Sequence, residues 1–350
     1  MKQVVRFAAT PAGRVAYTVT GGGPPLVYVP GWVSHLGLMW ENAGYRRFVE
    51  ALAHEHTVIR YDKVGSGLSD RTRTDFTMES ELATLEGLVE HLDLDRFALL
   101  GSCDGGQVAA AYAARYPDAL SSLIVYGSCA RGADLVPDDI KRSVLSMVRA
   151  HWGLGSRVLA DIWFPDAPAD VTADFARVQR AAATADIAAS LLDMFYRFDV
   201  AELLPTVRVP TLVAHRRGSR AVRFELGREV AALIPGAQLS ALDGRMQPIY
   251  AEGADVAAAT LLSFLRDHTG TGTTDQTGTR EPVPGGGSLT ARELQVADLI
   301  ADGLTNAQIA RRLGVSVRTV DAHVEHVRAK LGVRARAQIA VWSRLTPTSR

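Results

Sequence analysis

The stretch Leu99-Leu100-Gly101-Ser102-Cys103-Asp104-Gly105-Gly106 decides how this chain is read. An apolar strand runs into a turn of small residues. The alanine-rich segment 107–115 beyond it reads as a helix closed by Pro117. Glycine two places either side of one residue marks a strand-to-helix turn so tight that side chains there would strike the neighbouring chain. Only Cys103 is flanked in this way, by Gly101 and Gly105; centring on Ser102 would put Leu100 and Asp104 at the small positions. Such a turn usually presents a serine nucleophile, so the chemistry of Cys103 is the question the remaining residues have to answer.

Outward from the turn, strands and helices alternate. Leu26-Val27-Tyr28-Val29 is a continuous apolar run that stops at Pro30-Gly31, and further strands are expected at 57–61, 97–100, 123–126, 209–214 and near 237–242. Helices are expected at about 45–53, at 78–92 and up to about 267. Residues 3–20 read as two short strands before the turn Gly21-Gly22-Gly23-Pro24-Pro25. This alternation implies a mainly parallel sheet with helices on both faces. It stops between 135 and 200, where the pattern is helical and carries Trp152, Trp163, Phe164, Phe175, Met194, Phe195 and Tyr196. A helical insertion between strands fits a cap, about 130–205, over the carboxyl edge of the sheet, where such folds place ligands.

The 350 residues, 47% apolar and 22% charged, are enough for two domains with large cores. No apolar run reaches the roughly 18 residues of a membrane span, and Met1-Lys2-Gln3-Val4-Val5-Arg6 lacks the apolar block of a signal peptide. A cytoplasmic location without membrane attachment is the expectation. Two cysteines cannot make a disulfide framework, no Cys/His spacing suggests a metal site, and no cofactor is expected. Residues 268–287 are rich in Thr, Gly and Pro and read as a flexible linker. It separates a domain at 1–267 from one at 288–350. The latter holds ten Lys/Arg against five Asp/Glu in a chain of zero net charge, a mild pointer towards nucleic acid.

Within 1–267, Pro30-Gly31-Trp32, Tyr61-Asp62-x-x-Gly65-x-Gly67-x-Ser69, the turn at Cys103 and Val209-Pro210-Thr211-Leu212-Val213 together resemble the α/β-hydrolase family. The resemblance implies an α/β hydrolase fold with a helical cap, and an oxyanion hole made by the backbone N–H groups of Trp32 and Asp104. It also implies a nucleophile, an acid and a histidine in that chain order. Here those positions read Cys103, Ser219 and Met246, and no histidine lies between Arg216 and Asp267. Hydrolysis is therefore not expected, since triad members act as a unit. A cysteine-dependent hydrolase or thioesterase is the alternative; it would need His35 or His215 as base and could draw on Asp243 as acid.

From Ser288 the pattern changes to four short helices. Thr290-x-x-Glu293 and Thr305-x-x-Gln308 are capping boxes, Ser316 can cap the next helix, and Val320, Val324, Val327 and Leu331 form an apolar stripe. The module resembles the LuxR-type helix-turn-helix through Leu289-Thr290-x-Arg292-Glu293, Gly303-Leu304-Thr305-Asn306, Ile309-Ala310-x-x-Leu313, Ser316-Val317-x-Thr319-Val320-x-x-His323-Val324 and Lys330-Leu331-Gly332-Val333-x-x-Arg336. The resemblance implies that the third helix enters the major groove of DNA. Thr305, Asn306, Ser316, Arg318, Thr319, Asp321, Ala322, His323, Glu325 and Arg328 are then the expected DNA contacts. Asp321 and Glu325 stand where basic residues are common in that family, which weakens the attraction to phosphate.

The two halves together read as a transcription regulator, a homodimer on a double-stranded DNA operator. Its hydrolase-like domain would bind a small apolar effector such as an ester or lactone. The expected effector pocket is formed by Gly31, Trp32, Ser34, His35, Cys103, Asp104, Trp152, Trp163, Phe195 and Met246, beside Ser219. A hydrolase-like body that serves only for dimerisation is a further alternative.

Overall fold

Eight strands rich in β-branched and apolar residues form one sheet: β1 (Val5–Thr10), β2 (Gly13–Thr20), β3 (Pro25–Val29), β4 (Thr57–Tyr61), β5 (Phe97–Ser102), β6 (Leu120–Tyr126), β7 (Thr211–Arg216) and β8 (Gln238–Leu242). Their spatial order is β1-β2-β4-β3-β5-β6-β7-β8. β1 and β2 join antiparallel, as do β2 and β4, and every pairing from β4 to β8 is parallel. The computed structural model describes residues 3–268, 291–301, 304–313, 315–317, 319–320, 323–324, 326–327 and 339. Two compact units divide the chain, Met1–Gly272 and Thr273–Arg350.

In the first unit the helices are α1 (Leu36–Glu41), α2 (Ala43–Ala53), α3 (Met78–His91), α4 (Asp104–Arg115), α5 (Asp138–Ala150), α6 (Trp152–Trp163), α7 (Ala169–Ala182), α8 (Ala185–Arg197), α9 (Phe224–Leu233) and α10 (Ala254–His268). Phe48, Leu52, Leu261 and Leu265 of α2 and α10 bury Leu26, Val58, Leu100, Ile124 and Leu212 on one face of the sheet. Leu85, Val108 and Val230 of α3, α4 and α9 bury Val27, Ile59, Leu99, Val125 and Val213 on the other. Both faces being covered explains the unbroken apolar runs in β3 and β5. The helical insertion resolves into the four helices α5 to α8 between β6 and β7.

The second unit contains α11 (Ala291–Ala301) and α12 (Asn306–Leu313). Val296, Ile300, Ile309, Ala310, Val320, Val324, Val327 and Ile339 form its buried core. Three of the four stripe residues expected from the sequence are among them; Leu331 lies outside the described residues. Thr305 and Gln308 make a reciprocal capping box: the Thr305 N–H donates to Gln308 Oε1 at 2.7 Å, and the Gln308 N–H donates to Thr305 Oγ1 at 3.4 Å.

Candidate functional site

Cys103 sits at the end of β5 with φ 56° and ψ −127°, a conformation that L-residues seldom adopt. The close approach on either side explains the glycines. A Cβ on Gly101 would lie 2.2 Å from the Gly105 carbonyl oxygen, and one on Gly105 would lie 2.6 Å from that of Pro30. The turn is pinned by the Cys103 N–H, which donates to Tyr126 O of β6 at 3.0 Å. The thiol is buried. Burial first, and then the charge of Asp104, push its pKa well above the ordinary value, so at neutral pH it is a thiol rather than a thiolate.

Ser219 and Gln247 face each other beside this turn. Ser219 Oγ donates to Gln247 Oε1 at 2.6 Å, and Gln247 Nε2 donates to Gly127 O at 2.8 Å. The residue paired with Ser219 is therefore Gln247, one place beyond the expected Met246. Met246 instead packs against the cluster of Phe164 and Phe175, because its backbone N–H is held by Glu252 Oε2 at 2.7 Å. Neither serine nor glutamine can take a proton from the thiol at neutral pH. The alternative bases lie elsewhere. His35 Nδ1 caps α1 by accepting from the Leu38 N–H at 3.3 Å. His215 is buried under α9, where its Nε2 is 2.8 Å from Val222 O and burial lowers its pKa. The Asp243 side chain is 100% exposed and lies 3.7 Å from Arg217 Nε.

Asp104 opens α4 with its carboxylate turned back towards Trp32. Its Oδ1 accepts from the Trp32 N–H at 2.5 Å. Its other oxygen meets Lys63 Nζ. Lys63 lies 3.2 Å from Glu81 Oε2, and Glu81 Oε1 lies 2.5 Å from Arg73 Nη1. All four charges are buried and alternate in sign. Burial alone would lower the Lys63 pKa and raise that of Glu81. The opposite charges beside each outweigh this, so Lys63 shifts up and Glu81 shifts down.

Above Cys103 lies a cavity of about 70 Å³ bounded by Tyr28, Tyr45, Tyr126, Tyr250, Gln247 and Phe175, together with Gly31, Ser34, Ser102 and Trp163. Among the described residues, none that bounds it carries a charge. A cleft of about 210 Å³ between α1 and α7 adjoins it through the shared walls Met39, Phe175 and Tyr250. Of the pocket residues expected from sequence, Gly31, Ser34, Cys103 and Trp163 meet there. The other six do not. Trp32 is buried, with its indole N–H on Ala188 O at 3.1 Å, and Trp152 Nε1 donates to Ala183 O at 3.0 Å. Asp104 faces Lys63, His35 caps a helix, Phe195 packs in the core and Met246 is displaced as described. Sequence reasoning missed the four tyrosines. Tyr28 was readable as the β3 residue nearest the carboxyl edge whose side chain shares a face with Leu26.

Family comparison fixes the architecture. The model for the α/β hydrolase fold matches residues 24–244. The chain belongs to that family. As an α/β hydrolase it aligns with a crystallised bromoperoxidase of Bacillus anthracis at a TM-score of 0.69 and 21% identity, covering 75% of this chain and 100% of that one. An enol-lactonase of Burkholderia xenovorans gives 0.63 and 25%, covering 75% and 100%. A second model, for bacterial regulatory proteins of the luxR family, matches residues 287–343, so the α/β hydrolase domain is followed by a LuxR-type helix-turn-helix domain. A "Putative HTH-type transcriptional regulator" of Mycobacterium bovis is 34% identical over 127 residues, 36% of this chain; the chain matches only 14% of that relative's length. On the helix-turn-helix, Thr305 Oγ1 and Ser316 Oγ are helix caps, with Ser316 Oγ accepting from the Thr319 N–H at 3.1 Å. Thr305, Ser316 and Thr319 are exposed, and Asn306 and His323 half-buried; Arg318, Asp321, Ala322, Glu325 and Arg328 lie outside the described residues. Among the described residues no helix is long and apolar enough to cross a membrane.

Proposed function

We propose that this chain is a DNA-binding transcription regulator whose α/β hydrolase domain binds a small uncharged effector without hydrolysing it. The observation that carries the reading is the cavity above Cys103. It is bounded by uncharged side chains, has Ser219 and Gln247 where acid and histidine would stand, and belongs to the same chain as a LuxR-type domain. An unpaired ionic head would have no partner there, and burying one costs several kcal/mol, so the effector enters as a neutral molecule. The phenols of Tyr45 and Tyr250 can donate to its oxygen atoms, that of Tyr28 being given to Ser102 Oγ at 3.2 Å. Esters and lactones meet both demands, and one longer than the inner cavity extends past Met39 and Phe175 into the cleft. The regulator works as a homodimer, because two half-sites are needed for a specific operator. A space open above Cys103 favours sensing over a body that serves for dimerisation alone.

The test uses the full chain with p-nitrophenyl butyrate and a panel of short lactones. At least one lactone is expected to raise the melting temperature, since a ligand that binds only the folded state stabilises it. No catalytic release of p-nitrophenol is expected. Cys103→Trp, which fills the cavity, is expected to abolish the thermal shift. Steady turnover by the wild type that Cys103→Ala removes would establish the hydrolase alternative instead.

A further inference from the structure

The replaced triad accounts for a missing base, but it leaves untouched the group that would stabilise a tetrahedral intermediate. In this fold that group is a pair of backbone N–H donors, from the residue after the turn and from the loop after β3. One of the pair is already committed here: the Trp32 N–H is held by Asp104 Oδ1 at 2.5 Å. The carboxylate cannot swing away freely, because its second oxygen is tied to Lys63, which Glu81 and Arg73 anchor in turn. Trp32 is fixed from the cap side as well, through its indole N–H on Ala188 O of α8.

We propose that Asp104 is an internal plug: its carboxylate holds the Trp32 N–H that an acyl oxygen would need as a donor, and this keeps Cys103 from accepting an acyl group even from an activated ester. The proposal rests on the non-hydrolysing reading above and names the residue that enforces it. The plug acts independently of the triad. An activated ester needs no protonated leaving group, so the lost histidine slows one round of acyl transfer only through deprotonation of the thiol. In that round the Cys103 sulfur attacks the acyl carbon and a C–S bond forms. The intermediate collapses with cleavage of the bond to p-nitrophenolate, and the thiol proton goes to the buffer. What the wild type lacks, besides a base, is the Trp32 N–H as a free donor for the oxyanion. It follows that an effector is held in this cavity by the tyrosine hydroxyls, and not through a carbonyl in the oxyanion hole.

Two double variants separate the plug from the charge it carries. Lys63→Met with Asp104→Ala removes one buried charge of each sign and frees the Trp32 N–H. Lys63→Met with Asp104→Asn removes the same charges but leaves an amide oxygen on that N–H. Both are treated as full chains with p-nitrophenyl acetate after their fold is verified by circular dichroism. Acetylation of the peptide holding Cys103 is followed by mass spectrometry, and the p-nitrophenol burst is timed. The alanine variant is expected to be acetylated about 10²-fold faster than wild type, the worth of one oxyanion-hole donor. The asparagine variant is expected to stay near the wild-type rate. Equal rates in the two variants, fast or slow, overturn the proposal, since the charge or something else would then control Cys103. If the alanine double variant does not fold, Asp104→Ala alone, in which Glu81 still holds Lys63, carries the same expectation against the asparagine variant. Turnover by the wild type itself would sink the non-hydrolysing reading. An inert wild type with an equally inert alanine variant would sink only the plug.

Discussion

Glu81 holds two buried cations, Lys63 at 3.2 Å and Arg73 at 2.5 Å, and its loss would leave the group beneath the turn with a net positive charge. Removing one partner of a buried ion pair exposes the other to the full cost of desolvation, so Glu81→Gln is expected to destabilise the first unit by about 3–5 kcal/mol in urea melts. The pH dependence follows from the shifts. The Glu81 carboxyl titrates below its ordinary 4.5, so its stabilisation is complete above that pH and is lost as pH falls through the lower folded value. The Lys63 ammonium titrates above its ordinary 10.5, so its stabilisation is present below that pH and is lost as pH rises through the higher folded value. Urea midpoints measured across pH should show an acid limb that Glu81→Gln shortens; an unchanged limb would remove Glu81 from the account. At this scale the sequence was partly legible. The glycines around Cys103 announce the turn because their spacing is local. Asp104 announces nothing, since Lys63 and Trp32 lie 41 and 72 positions away. That Gln247 and not Met246 faces Ser219 was hidden for a similar reason: the loop after β8 has no periodicity to fix its register.

At the level of elements, the places of strands and helices along the chain were readable wherever a repeating pattern existed. β3, β5 and β6 are continuous apolar runs, and α5 to α8 occupy the segment where the alternation stops. The cap was harder because aromatic residues do not declare which way they face. Trp152 and Phe195 go to packing, whereas Phe175 of α7 forms a wall between the inner cavity and the cleft. Trp163 stacks on it with ring centroids 5.6 Å apart, and Phe164 packs at 4.9 Å. Removing that ring should open the uncharged inner cavity into the cleft and leave room for benzene beside the aromatic wall; benzene occupies engineered cavities of about 150 Å³. Phe175→Ala is therefore expected to cost about 3 kcal/mol in urea unfolding and to gain a benzene-dependent rise in melting temperature that the wild type lacks. A stability loss without any response to benzene would mean that α7 collapses into the gap and that the two spaces are not contiguous.

On the scale of the whole molecule, the buried clusters of the first unit draw on residues between Ala8 and Leu265, and that of the second on residues between Val296 and Ile339. Each unit therefore carries its own cooperative core, and the smaller one buries a smaller fraction of its surface, which makes it the weaker of the two. Calorimetry of the full chain is expected to show two transitions, with the helix-turn-helix melting first. A chain ending at His268 should keep the upper transition within a few degrees and lose the lower one. The same experiment bears on regulation. An effector acts on operator binding only through a difference in its affinity for two states of the chain, and the coupling is reciprocal. A lactone that raises only the upper transition binds the first unit whether or not the second is folded. One that also shifts the lower transition stabilises the helix-turn-helix through the first unit, which is the energetic signature a one-component regulator requires. If no ligand of the first unit ever moves the lower transition or alters DNA binding, the two domains share a chain without sharing a function.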